Sequence, residues 1–567
     1  MMLRGPPLPP LRCRTLVELV ASAARSPHAL TFVDAREAET NLSFAELEMR
    51  AARAAAGIAA LGIEPADRVA LVLPTGVDFM EAFFGTILAG AVPVPLYPPV
   101  RLGRLDEFHL RTARMIEVSG ARLVLTDRRI GRLLGQSVAQ ARPALGCRAV
   151  AELPRAGELR RQPRPGDLTL VQFSSGTTVD PKPVALTHAN VLSNVAAIDS
   201  YVPPGDGQSG VSWLPLYHDM GLIGCLLLAL YHPGPLALLP PEAFLGRPAL
   251  WLRAISRRRA TITVAPNFAF GLCLKRVRDE DLEGCDLSSL RLVLDGAEPI
   301  APAVLRRFAD RFGRFGFDAR TLLPVYGLSE AALAVTFAAP GSGLRTASVG
   351  GSANEVAAVG TPVPGVEVRI VGSDPIEVDD GAVGRIEVRG PSVMAGYLED
   401  PAATARAVKE GWLDTGDLGA VIGGELYVCG REKEIVILRG ANHAPQEFED
   451  ALSGLRGVRE GCAVAAGFVP EGADGEELLL LVEQAGPLEA DSVRARVVER
   501  TGVRPHTVAL LAPGTLPRTS SGKLRRGEAL RQWRSGTLRP PHKVTALHLA
   551  RAAAGSLAAF ARLRFLR

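Results

Sequence analysis

The segment Leu170-Val-Gln-Phe-Ser-Ser-Gly-Thr-Thr-Val-Asp-Pro-Lys-Pro-Val184 holds the residue types that cradle a polyphosphate. An apolar run of strand character empties into Ser174, Ser175, Gly176, Thr177 and Thr178, and Lys182 follows directly after Pro181. Small hydroxyl residues and a glycine let backbone N–H groups turn inward around an anion, and a lysine adds a point charge. The spacing is not GxxxxGK[ST], so this is no Walker A loop. Taken alone, the segment also reads, less well, as a Ser/Thr-rich surface turn. A second signal comes from the basic residues. Only six of the 64 are lysines: Lys182, Lys275, Lys409, Lys433, Lys523 and Lys543. In a chain that defaults to arginine, a lysine marks a place for a compact ammonium that desolvates, in contrast to a guanidinium fork. Lys523 lies in Thr519-Ser-Ser-Gly-Lys523, another hydroxyl-rich loop.

The elements that must position these residues follow from patterning. Arg68 to Pro74 reads as a short strand, Val77 to Ala89 as a helix and Ala91 to Leu96 as the next extended run. This βαβ order predicts an α/β fold with doubly wound, mostly parallel sheets. The same grammar recurs at Ala260 to Ala265, Leu290 to Leu294 and Thr321 to Val325. From Gly365 to about Val428 the apolar residues alternate at period two between Gly-rich turns, which predicts a small β-subdomain. After Arg431 a third piece begins, with strands near Ile435 and Leu478 and helices near Gln446 and Asp491. The boundaries expected are 1–430 for a large domain (365–430 its β-rich part), 431–535 for a small α+β domain and 536–567 for a tail.

Seven segments in order carry a resemblance that no lone loop does. They are the loop above, Ser212-Trp-Leu-Pro-Leu-Tyr-His-Asp-Met-Gly-Leu-Ile-Gly224, Asp295-Gly-Ala-Glu-Pro299, Tyr326-Gly-Leu-Ser-Glu330, Trp412-Leu-Asp-Thr-Gly-Asp417, Gly430-Arg-Glu-Lys-Glu-Ile435 and the Lys523 loop. From about Leu16 to Trp533 the chain resembles the adenylate-forming superfamily of acyl-CoA synthetases, fatty acyl-AMP ligases, luciferases and adenylation domains. The resemblance implies activation of a carboxylic acid by ATP with release of pyrophosphate, a reaction run by positioning and cations. It implies that Glu330 holds Mg²⁺ and that Tyr326, beside Gly327, stacks on adenine. Asp295, Gly296, Ala297 and Glu298 would line the adenine pocket. Asp417 would bind the ribose hydroxyls, and Arg431 would contact ribose and phosphate. It assigns catalytic roles to Lys523, Glu330 and Lys182, with Lys523 swinging in to bridge the carboxylate and the phosphates. Lys433 falls on the hinge of a mobile small domain. Gly440 and Asn442, with Glu447 after them, fall in the loop that enters for the second half-reaction. His218 and Gly221 border the acyl pocket, although a buried structural His fits His218 as well. Two departures stand in the phosphate loop: Val179 and Pro183 replace glycines usual in the superfamily, which puts one or two N–H contacts in doubt.

The apolar run from His218 to Leu228 looks most like members that activate fatty acids. The motifs around Trp213 and Asp295 favour the fatty acyl-AMP ligases, which pass the acyl group to the phosphopantetheine thiol of an acyl carrier protein. The alternatives are an acyl-CoA synthetase, which uses coenzyme A, and a degenerate adenylate-binding protein without catalysis. Thr336 to Ala358 fills the place of an insertion typical of the ligases.

Composition bounds the rest. No window reaches the roughly 18 uninterrupted apolar residues of a membrane span. Seven cysteines without CxxC pairing suit reduced, cytoplasmic thiols. No acidic residue follows Glu528, whereas eight basic ones do, so the body is mildly acidic and nucleic acid is not the implied partner. Within the tail, Val544, Leu547, Ala554, Leu557, Ala561 and Phe565 recur at helical spacing. The expectation is a helix packed on the small domain, or a frayed one, with a peripheral membrane contact as the alternative.

Overall fold

The computed structural model describes the chain except residues 100–101, 155–162, 175–181, 206, 350–354, 373–377, 439–440, 471–474, 520–521, 542–552, 557 and 560–567. A nine-stranded mixed sheet forms the centre. Its middle strands Ile262–Ala265, Leu292–Asp295 and Leu322–Gly327 run parallel and are almost continuously apolar. Strands covered by helices on both faces read that way. A four-stranded parallel sheet carries Val92–Leu96, Arg68–Val72, Leu123–Thr126 and Cys147–Ala149, with the helix Val77–Leu88 as the first crossover. The expected βαβ grammar is borne out at each of the segments named above.

The β-subdomain consists of Glu367–Val371, Gly384–Arg389, Val408–Lys409, Trp412–Ile422 and Glu425–Arg431. The N-terminal residues Met2–Arg4 add an edge strand to it, paired antiparallel with Glu367–Val371. Three residues are too few for an alternating pattern to show, so this pairing is not legible in the sequence. The insertion contains the hairpin Thr346–Ser348 and Glu355–Ala357. Arg306 on the helix Pro302–Phe312 bonds Glu355 at 2.6 Å, and Val349 and Val356 pack toward Ala420 and Tyr427 of the β-subdomain.

From Val436 onward a separate core forms around Val458–Phe468, Glu477–Gln484 and Thr507–Leu511. The run Leu478 to Val482 is wholly buried because the helices Pro445–Ala451 and Ala490–Thr501 cover one face and Arg526–Arg534 covers the other. Of the tail, residues 553–556 and 558–559 are helical. Among the described residues, the tail's hydrogen bond is to the large domain. Ser556 is buried against the helix Arg128–Ala141 of the large domain. The rest of the expected tail helix lies outside the described residues. All seven cysteines are free thiols.

Candidate active site

The site is assembled at the carboxyl ends of parallel strands, where the backbone leaves the sheet and side chains converge. Leu322–Gly327 delivers Tyr326 and, one 3-10 turn later, Glu330. Gly327 is required at the exit: a Cβ there would stand 1.8 Å from the carbonyl oxygen of Leu333. The antiparallel strands Trp412–Ile422 and Glu425–Arg431 place Asp417 directly opposite Arg431. One carboxylate oxygen of Asp417 accepts from Arg431 Nε at 2.9 Å, and the other accepts from the Tyr326 hydroxyl at 2.7 Å. Burial raises the pKa of Asp417 against the opposing pull of Arg431 and Tyr326. Three residues far apart in sequence thus share one carboxylate, on the wall of a cleft of about 1900 Å³.

Leu168–Phe173 and Pro183–Thr187 pair antiparallel, so the phosphate loop is the connection of a hairpin. Ser174 N–H donates to the Lys182 carbonyl at 3.0 Å and closes it. Ser175, Gly176, Thr177, Thr178 and Val179 lie outside the described residues. Pro183 opens the second strand, opposite Phe173, a strand-start position where proline is tolerated. Lys182 holds its ammonium 4.4 Å from the centre of the Tyr397 ring, a cation–π contact. The Tyr397 hydroxyl in turn donates to Glu330 Oε1 at 3.1 Å. Tyr397 therefore links the loop lysine to the Glu330 carboxylate, whose pKa burial raises. Sequence reasoning missed it. Its strand is two residues long, and its role depends on pairing with Val184, which no local pattern announces.

The Asp295 segment divides. Ala297 and Glu298 reach the cleft wall, and Ala297 takes a left-handed backbone with φ of 70°. Glu298 Oε1 accepts from Phe268 N–H at 2.6 Å and so anchors the start of the helix Asn267–Arg276. Asp295 is 0% exposed, and neither of its carboxylate oxygens has a hydrogen-bond partner among the described residues. Burial and the nearby Glu298 raise its pKa well above the ordinary range, since both disfavour the charged form. Gly296 packs against Val325, where a Cβ would come within 2.7 Å of Cγ2. Asp295 and Gly296 thus stand behind the expected adenine wall.

In the Trp213 motif, His218 Nδ1 lies against one oxygen of Asp219, and Ser329 Oγ donates to the other. Burial would raise the Asp219 pKa, but His218, Ser329 and the Lys523 ammonium together hold it below the usual carboxylate range. Asp219 was not singled out from the sequence, because adjacent His-Asp pairs are common and Ser329 is 110 residues away. Gly221 faces away from the cleft and packs on Pro215, where a Cβ would meet the carbonyl oxygen at 2.4 Å. Behind His218 the chain continues as a π-helix, Leu222–Leu227, a geometry frequent at functional sites. Trp213, Met220, Phe268, Leu272 and Leu333 give this arm of the cleft an apolar wall.

Lys523 enters the same cleft from the small domain. Its loop is closed by Thr519 N–H donating to the Lys523 carbonyl at 2.8 Å and by Lys523 N–H donating to Thr519 Oγ1 at 3.0 Å. Burial lowers its pKa, and the carboxylates of Asp219, Glu298 and Asp417 pull it back up while Arg431 opposes them. Lys433 is exposed in the 3-10 turn Glu432–Glu434, at the junction between the domains. Gly440 lies outside the described residues, and Asn442 lies in the strand Ala441–His443. Glu447 accepts from His443 Nδ1 at 3.1 Å. Among the described residues, no group of three or more His, Cys, Asp or Glu forms a ready-made metal cage.

A model of the AMP-binding enzyme family matches residues 19–398. The chain belongs to this family. Within it, the chain is 34% identical over 549 residues to the long-chain-fatty-acid–AMP ligase FadD26 of Mycobacterium marinum, covering 88% of this chain and 92% of that protein. It is 35% identical over 520 residues to a 4-hydroxyphenylalkanoate adenylyltransferase of the same organism, covering 83% and 82% respectively. A solved fatty acyl-adenylate ligase, from work on the E. coli and L. pneumophila enzymes, superposes with a TM-score of 0.86 at 33% identity. That match covers 93% of this chain and 99% of the solved one. The AMP-binding fold therefore extends beyond residue 398 and through the small domain.

Proposed function

We propose that this AMP-binding enzyme is a fatty acyl-AMP ligase. A carboxylate oxygen of the acid attacks the α-phosphorus of ATP, the bond to the bridging oxygen breaks, and pyrophosphate leaves. The phosphopantetheine thiolate of a carrier protein then attacks the acyl carbonyl, and AMP departs with the electron pair. The observation that carries this reading is the convergence of the Asp417–Arg431–Tyr326 cluster, Glu330 and Lys523 on one cleft with an apolar arm.

Asp417 presents two oxygens suited to the ribose hydroxyls, and Arg431 favours its charged form against the effect of burial. Lys523 and Lys182 offer cations for two anionic reactants that repel each other. Glu330 suits Mg²⁺, which takes one or two carboxylates together with waters and phosphate oxygens and needs no protein cage. When bound there, Mg²⁺ would neutralise phosphate charge. The apolar wall around Trp213 and Phe268 suits an alkyl chain and also accommodates an aryl-capped one.

The test supplies radiolabelled acids with ATP, as an alkyl series and one 4-hydroxyphenylalkanoate. It then offers coenzyme A and a holo carrier protein in separate arms. The proposal expects acyl-AMP and pyrophosphate with the alkyl acids and label transfer to the carrier alone. Transfer to coenzyme A overturns the acceptor, preference for the aryl acid overturns the substrate, and absence of pyrophosphate overturns catalysis.

A further inference from the structure

Behind the apolar arm of the cleft lies a second, much smaller space. The arm ends against Ile198, Leu294 and Phe337, and the same three side chains line a recess of about 10 Å³ on their far side. The elements around them pass from one space into the other. Along the π-helix segment, Met220 and Gly224 line the cleft and Leu228 lines the recess. On the central strands, Val325 lines the cleft and Leu323 the recess, while Leu294 lines both and Leu292 the recess. Residues two apart on a strand share a face and lie about 7 Å from each other, so the recess continues the line of the arm one side chain deeper. Every described residue lining the recess except Tyr201 is apolar, and the exposed Pro340 forms its outer lip. Such a space offers a water few partners and suits hydrocarbon.

The partition between the two spaces is built from side chains. Phe337 is 6% exposed, and its backbone is paired on both sides, opposite Val325 and opposite Thr361. Its ring centre lies 5.0 Å from that of Tyr201, which backs it from the recess. Ile198 comes from the last turn of the helix His188–Asp199. Gly224 has the opposite character. Its φ is not left-handed, and within 4 Å a Cβ there would meet only the tip of Leu333, at 2.9 Å. The backbone makes no demand for glycine at this position, so what the missing side chain leaves is room in the cleft.

We propose that Phe337, with Ile198 and Leu294, is an end wall that sets the longest acyl chain this site accepts, and that Gly224 keeps the passage to it open. The tail of the acid lies along the Met220–Gly224 face and stops with its terminal methyl against the Phe337 ring. This rests on the acid-activating reading of the same cleft. The wall acts through shape, since an apolar pocket discriminates about 10- to 200-fold for one methylene more or less. These residues determine specificity and take no part in bond making.

The experiment uses the full chain and three variants. Phe337→Leu and Ile198→Ala open the wall, and Gly224→Leu fills the passage. Octanoate, dodecanoate and hexadecanoate are supplied with ATP, and kcat/KM for pyrophosphate release is measured for each. The readout is the ratio of hexadecanoate to octanoate. That ratio does not depend on the fraction of protein that is folded, so it survives any packing loss the substitutions bring. The same acids are also titrated without ATP, in competition with a fluorescent fatty acid. The ratio should rise about tenfold or more in the two opening variants and fall about tenfold or more in Gly224→Leu, with the affinities moving the same way. A ratio within about twofold of wild type in Gly224→Leu, or in both opening variants, overturns the wall. If no acid yields pyrophosphate with any chain, the ligase reading fails, while the binding series still decides the wall.

Discussion

Asp219 joins the two arms of the site, because one buried carboxylate serves His218 from the acyl side and Ser329 from the Glu330 turn. Its pKa in the folded chain lies below its unfolded value, so it contributes stability that is present above about pH 4 and lost as pH falls toward the folded pKa. Asp219→Asn should cost about 1–3 kcal/mol at pH 7, the scale for disturbing a buried charged hydrogen bond. The gap between wild type and variant should narrow as pH drops from 5 to 3 in thermal melts followed by circular dichroism. A gap that stays constant over that range would sink the assignment. Asp295 is its counterpart: it is buried too, but burial and the neighbouring Glu298 push its pKa up where His218, Ser329 and Lys523 pull that of Asp219 down. Sequence alone does not separate these two aspartates, since charge state is decided by neighbours brought from elsewhere in the chain.

At the scale of elements, the site is a set of strand ends, and glycines set how tightly the chain leaves each one. Gly327 is the sharpest case, because the backbone folds back so that Leu328 N–H donates to the Leu333 carbonyl at 2.9 Å. Gly327→Ala should push apart the turn that presents Glu330. A stability loss of about 2–4 kcal/mol is expected, together with weaker ATP binding, measurable by denaturation and by nucleotide titration. A variant with wild-type affinity and stability would contradict the packing argument. The hairpin of the insertion acts at the same scale: it wedges between Pro302–Phe312 and the β-subdomain, beside the strands that hold Asp417.

The whole molecule adds what neither domain holds alone. The large domain supplies Glu330, Asp417 and Asp219, and the small domain supplies Lys523. On the proposed role of Lys523, a cation placed where charge develops on phosphorus, Lys523→Ala should reduce acyl-AMP formation by about 10²-fold or more. Transfer from supplied acyl-AMP should stay within about twofold of wild type, since that step forms no bond to phosphorus. Equal losses in both half-reactions, read in single turnover, would remove Lys523 from its assigned role. Its lowered pKa also has a direction: adenylation should fail on the alkaline side at a lower pH than an ordinary lysine would set, because the neutral amine cannot balance phosphate charge.

By itself, the sequence determined the α/β class, the alternating strands after Gly365 and most of the residues that meet in the cleft. These are legible because hydrophobic period reports local structure and because strand-end motifs carry unusual side chains in a fixed order. Tertiary structure alone decided which motif residues face the cleft and which stand behind it. It turned Gly221 and Gly296 to packing, and it raised the pKa of Asp295 while lowering that of Asp219. It also introduced Tyr397 between Lys182 and Glu330, and seated Ser556 on Gly135. The Tyr397–Glu330 bond joins residues 67 positions apart, and the Ser556–Gly135 bond joins residues 421 apart. Burial and partner charge act through space, and a local pattern carries no record of them.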